Sequence, residues 1–149
     1  MPLILEVPSE FGYVLAVATS SFFLNTALGI QVGTYRKAAG IKYPTAYASE
    51  ELAAKDPKAY QFNCAQRAHL NFCEVHISWL GALLISGLRF PTASAAIGAT
   101  WLVGRALYGR GYVVNGPEGR IRGAIVGFFC DLSLKLMALY SSAMFVLGK

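Results

Sequence analysis

Residues 11–35, "FGYVLAVATSSFFLNTALGIQVGTY", carry no charged side chain. The run is longer than the roughly 20 apolar residues that cross a bilayer core. Three more runs follow: 68–88, with Glu74 as its one formal charge; 92–112, interrupted late by Arg105 and Arg110; and 123–148, holding Asp131 and Lys135. The prolines at 2, 8, 44, 57, 91 and 117 all fall outside these runs, at boundaries where a residue without an N–H is tolerated. The pattern predicts an all-α, integral membrane bundle of four transmembrane helices, roughly 11–37, 61–88, 92–113 and 121–147, in a single domain over 1–149. A soluble bundle would need a polar stripe along each helix, and the first run offers only scattered small polar groups.

Composition strengthens that picture. Hydrophobic residues make up 55% of the chain and charged ones 14%, against roughly 45–50% and ~25% in soluble domains. No basic segment precedes the first run, and Glu6 and Glu10 do, so the first helix is expected to be retained rather than removed as a signal peptide. The basic residues are lopsided. Arg36, Lys37, Lys42, Lys55, Lys58 and Arg67 flank the first loop, and Arg105, Arg110, Arg120 and Arg122 the third; the opposite side has only Arg89 and Lys149. By the positive-inside rule loops one and three should face the cytosol. The net charge of +5 follows from this topology and favours anionic lipid headgroups; with no nucleic-acid motif, no nucleic-acid partner is expected. Cys64, Cys73 and Cys130 form no disulfide framework.

The stretch 64–76, "CAQRAHLNFCEVH", places dense polar chemistry within a membrane-length helix. At about 100° per residue, Arg67, Asn71 and Glu74 fall within about 60° of one another on one face, and His69, Cys73 and His76 lie opposite. The second group has the spacing of metal ligands, but a metal site needs further donors and supporting contacts, and the chain has no third histidine. Packing or inter-helix hydrogen bonding accounts for it better, and no metal is expected. The first group has two readings. Ionisable residues in a membrane helix face protein or a cavity and tend to be paired: Glu74 pairs with Arg67 or Arg105, or the set binds a ligand, arginine to a carboxylate, glutamate to an ammonium. Arg105, Tyr108 and Tyr112 share one face of the third helix. With Arg36, Lys37, Arg120 and Arg122 at the same level, they predict an arginine-rich pocket with membrane walls. Asp131 and Lys135, at i, i+4, read as an ion pair along the fourth helix.

These residues also carry a resemblance. "FNCAQRAHLNFCEVH" resembles the second-helix signature of membrane-associated proteins in eicosanoid and glutathione metabolism, the MAPEG superfamily, and within it the type 3 microsomal glutathione transferases. "WLVGRALYGRGYVVNGPEGRIRG" and "YRKAAGIKYPTAY" are similar to the third-helix and first-helix signatures of that branch. The resemblance implies a homotrimer with glutathione as co-substrate, bound between subunits on the cytosolic side. It implies Arg36, Arg67, His69, Asn71, Glu74, Tyr108 and Tyr112 as glutathione-binding residues, with His69 reaching a neighbour's ligand, and Lys37 on the hydrophobic-substrate side. It implies Arg120 as the group that stabilises the thiolate, with Arg122 as its rival. Val75 stands where leukotriene C synthase, another member, has tyrosine, and agrees with the type 3 branch. The implied activity is a membrane-bound glutathione transferase and peroxidase acting on lipophilic electrophiles or lipid hydroperoxides, leukotriene C synthesis within its range. The implied location is the endoplasmic reticulum or outer mitochondrial membrane. A non-catalytic lipid-binding or scaffold protein of the same superfamily is the alternative; a small channel using Glu74, Asp131 and Lys135 is a third.

Overall fold

The computed structural model describes residues 7–148; Glu6 and Lys149, counted in the charge pattern above, lie outside them. Among the described residues all regular structure is helical: α1 (Phe11–Ala38), α2 (Glu50–Lys55), α3 (Pro57–Gly87), α4 (Pro91–Gly119) and α5 (Ile121–Val146). The four expected helices leave 38–60 as a connection; the structure places a short additional helix, α2, within it. Ser49 Oγ accepts from Leu52 N at 3.3 Å at its start, with Glu50 and Glu51 in the first turn and Lys55 in the last, a charge order that suits the helix dipole.

The long helices differ in character. α1, α3 and α5 are each long and apolar enough to cross a membrane. α4, with 29 residues, is not among them, because Arg105, Arg110 and glycines at six positions from Gly98 to Gly119 dilute its apolar content. α3 starts at Pro57, earlier than the expected 61, since the Asp56 carboxylate accepts from Lys58 N at 2.9 Å and proline suits the first helical position. α4 runs past the expected 113 but breaks at Gly116 (φ 68°, ψ −159°), with Pro117 beginning a last turn.

α3 and α4 form the centre. Both touch α1 and α5, which do not touch each other. Two fully enclosed indoles join the central pair, Trp79 of α3 stacking on Trp101 of α4 at 4.1 Å between centroids. Phe72 and His76 extend the stack, at 4.9 Å from each other. Aromatic pairs of this kind contribute about 0.5–1.5 kcal/mol each beyond the area they bury. Buried Ser94 donates to Ser86 at 2.9 Å, tying the α3–α4 turn, and Ser21 bonds His76 at 2.8 Å, tying α1 to α3. A second apolar cluster, with Val32, Ala59, Phe62 and Val113 among its members, closes the basic end.

α4 and α5 meet backbone to backbone. A Cβ on Gly123 would overlap the carbonyl of Gly104 and the backbone of Tyr108, so only glycine permits the approach. This contact sets Tyr108 beside Arg120, and through them fixes the shape of the site.

Candidate functional site

The α3 stripe forms as a connected set. Arg67 Nη1 donates to Glu74 Oε1 at 3.0 Å, and Asn71 Nδ2 donates to Glu74 Oε2 at 3.5 Å. Arg105 Nη2 of α4 donates to Asn71 Oδ1 at 2.8 Å. Both readings of the stripe thus have a structural counterpart: Glu74 is paired with Arg67, and the pair stays open, with side chains 40% and 46% exposed. Arg105, by contrast, is 6% exposed. Its guanidinium lies 4.3 Å from the Tyr108 ring centroid, so aromatic faces replace water around the charge.

The network continues along α4. Arg120 Nη1 donates to Tyr108 Oη at 3.3 Å, and its guanidinium lies 5.3 Å from the Tyr112 centroid. The Tyr108 hydroxyl, by accepting that bond, holds the Arg120 guanidinium above its ordinary pKa; it remains a cation throughout the working pH range. A cavity of about 480 Å³ opens here. Asn71, Arg105, Tyr108 and Arg120 form its polar end, Val75, Ile125 and Phe128 give it apolar walls, and Asp131 lies deeper along α5. A smaller cavity of about 240 Å³, lined by Tyr47, Tyr60 and Pro117, shares Arg67 and Tyr112 with the network. The arrangement sets an open Arg67–Glu74 ion pair beside a second guanidinium, that of Arg120, which spends one bond on Tyr108 at the head of an apolar cleft.

Other expected residues stand apart. Arg36 is buried between the rings of Tyr43 and Phe62, at 4.3 and 4.6 Å, and donates to the Thr45 carbonyl at 2.7 Å; within one chain it braces the first loop. Lys37, next to it, is exposed. His69 bonds Asn25 Oδ1 of α1 at 2.9 Å, with Cys73 Sγ 3.6 Å from the same ring nitrogen. Cys73 is exposed, and its thiol donates to Asn25 Oδ1 of α1 at 3.6 Å. Arg122, the rival of Arg120, lines a different groove with Arg110 and Asn115. Two residues apart at a helix start, the two arginines project about 200° apart, a spacing that already separates them. Asp131 pairs with Lys135 as expected, but its place in the cavity wall, like that of Trp101, is set by helix packing that no local spacing reveals. Among the described residues no cluster of three His, Cys, Asp or Glu could hold a metal.

The chain is similar to the Uncharacterized protein sll1147 of Synechocystis sp., 31% identical over 129 residues that cover 86% of this chain and 84% of that protein. The model of the MAPEG family matches residues 14–140, a span that includes every residue of the network around Arg105 and Arg120. With membrane-length helices, the α3 stripe and that match in agreement, the chain is an integral membrane protein that belongs to the MAPEG family.

Proposed function

We propose that this protein is a membrane-bound glutathione transferase with glutathione-dependent peroxidase activity. One observation carries the reading: hydrogen bonds link Glu74 through Asn71 to Arg105, the Arg105 guanidinium rests on the Tyr108 ring, and the Tyr108 hydroxyl bonds Arg120 at the head of an apolar cleft. Glutathione has a zwitterionic γ-glutamyl end, a second carboxylate and a thiol. Glu74 suits the ammonium, Arg67 and Asn71 the neighbouring carboxylate, and Tyr108 and Tyr112 the peptide between. Since Arg67 and Glu74 already neutralise each other, a zwitterion exchanges one pair of opposite charges for two and leaves the net charge of the site unchanged, so each desolvated ligand charge gains a partner.

Arg120 then stands beside sulfur. A free thiol, pKa about 8.5, is mostly protonated at neutral pH, and an adjacent cation favours the thiolate. Against an electrophilic carbon the thiolate forms the C–S bond while the displaced pair passes to the leaving group, or to an enolate that takes a proton. Against a lipid hydroperoxide sulfur takes the terminal oxygen, the O–O bond breaks, and the departing alkoxide is protonated. A second glutathione then reduces the sulfenic acid, giving disulfide and water. The chain contributes positioning and a fixed positive charge, with no residue of its own consumed.

The working assembly in this proposal is a homotrimer with α4 as the fourth span, sitting in the endoplasmic reticulum or outer mitochondrial membrane with its basic end in the cytosol. Arg36, Lys37 and His69, displaced from the network in a single chain, serve a neighbouring subunit's glutathione or its lipophilic substrate.

The test is ultraviolet thiolate absorbance on adding glutathione to purified protein, with turnover measured across pH. Wild type should form thiolate at pH 7. Arg120→Ala should lose it, and its rate should climb only as pH rises through about 8.5; Arg122→Ala should keep it. Thiolate loss in Arg122→Ala alone would transfer the role to that residue, and absence of glutathione binding in wild type would leave lipid binding without catalysis as the reading.

A further inference from the structure

The glutathione reading leaves two arginines unused. Arg110 and Arg122 line one groove of about 340 Å³ together with Leu107, Gly111, Val114, Asn115 and Gly119. Neither guanidinium has a hydrogen-bond or ion-pair partner among the described residues, and both are exposed. They are twelve positions apart and meet because of the break at Gly116. Beyond it the chain folds back until Gly119 lies against Gly111, so close that a Cβ on either would overlap the other's carbonyl. The groove therefore has a floor of bare peptide backbone, flanked by one arginine from each helix.

Its surroundings limit what can occupy it. Val103, Leu107, Arg110 and Val114 follow i, i+4, i+7, i+11 spacing and form one outward stripe of α4; the three apolar members are 59%, 52% and 63% exposed. Leu107 and Val103 lie on the membrane side of Arg110, so the groove has a cationic mouth and an apolar wall leading inward. No carboxylate lines it. α5 begins beside Arg122 with no side chain capping its first N–H groups, which adds positive potential at the same place. A single interfacial arginine is commonly a snorkelling anchor. Two unpaired arginines across a shared glycine floor make a fork-shaped anion receptor.

We propose that the Arg110–Arg122 groove binds an anionic phospholipid, one whose headgroup phosphate is not offset by an ammonium, with an acyl chain lying along Leu107 and Val103. The site is separate from the cavity at Arg120 and does not depend on the glutathione reading.

Native mass spectrometry of the detergent-solubilised protein, titrated with phosphatidylglycerol or phosphatidylcholine, tests this. Phosphatidylglycerol adducts should be retained in preference to phosphatidylcholine. Arg110→Gln and Arg122→Gln should each weaken retention about five-fold, while Lys42→Gln in the first loop should not. Val114→Trp fills the groove and keeps both charges; it should also lose the adduct, with thermal melting used to confirm that each variant is folded. Equal retention of the two lipids, or a phosphatidylglycerol adduct insensitive to both arginines, would overturn the proposal. So would a Val114→Trp variant that binds as wild type, since attraction would then be diffuse. Inorganic phosphate that displaces the lipid at low millimolar concentration would show a free-anion site instead.

Discussion

Arg105 illustrates how one side chain can serve both fold and site. It is almost wholly enclosed, bonds Asn71 and rests on Tyr108. Its neutral replacement Arg105→Gln removes a charge-assisted bond worth about 1.5–3 kcal/mol and frees Asn71 to turn away from Glu74. The expected outcome is a lower melting temperature in detergent together with roughly ten-fold weaker glutathione binding, read by calorimetry. Arg105→Lys should restore little, because an ammonium lacks the planar fork that bonds Asn71 while lying on a ring. At this scale much was legible in the sequence: Arg67, Asn71 and Glu74 share a face by spacing alone, and so do Arg105, Tyr108 and Tyr112. Partners across helices were not. The Asn25–His69 bond spans 44 positions, and Arg36 is withdrawn by Tyr43 and Phe62, contacts that depend on how the first loop folds back.

Helix α4 carries the most constraint as an element. Its apolar run is legible up to Tyr112, but its end is not, since "VVNGPEG" reads as a turn while the structure breaks only at Gly116 and adds a further turn. The backbone there is in a region nearly closed to other residues. Gly116→Ala should cost roughly 1–3 kcal/mol in backbone strain, and its Cβ would also meet Tyr60 Oη at 2.9 Å. A lowered thermal midpoint is the expected result. Adding Tyr60→Phe should recover only part of the loss, because it relieves the contact and leaves the strain. Full recovery would show that crowding, not backbone conformation, dominates. The same break positions Arg120 toward Tyr108 and Arg122 away from it, so the variant should also weaken thiolate formation.

For the whole molecule the sequence makes the membrane character plain, through the absence of polar stripes and the one-sided basic loops. It does not show which helices are central, because α3 and α4 are no more apolar than α1 and α5. Their inner place follows from the Trp79–Trp101 stack and the Ser86–Ser94 bond. Assembly is where the proposal can be tested as a whole. If His69 acts on a neighbour's ligand while Asn71 acts on its own, His69→Leu and Asn71→Leu subunits are each inactive alone. Co-expressed, they should form mixed trimers in which some sites are intact, and turnover should reappear. No recovery, with mixed assemblies confirmed by mass, would place both residues in the same subunit's site or His69 outside any.

The stacked indoles have a use of their own. The chain contains two tryptophans, packed face to face within one layer, and one of them, Trp101, lines the cavity. Indole emission, excited selectively over tyrosine, thus arises from a single place in the protein, with no tryptophan in the loops or on the lipid-facing surface. A molecule entering the cleft touches one member of that pair directly. The protein carries a built-in optical gauge of occupancy, able to follow ligand arrival in real time in a bilayer without label or chemical turnover.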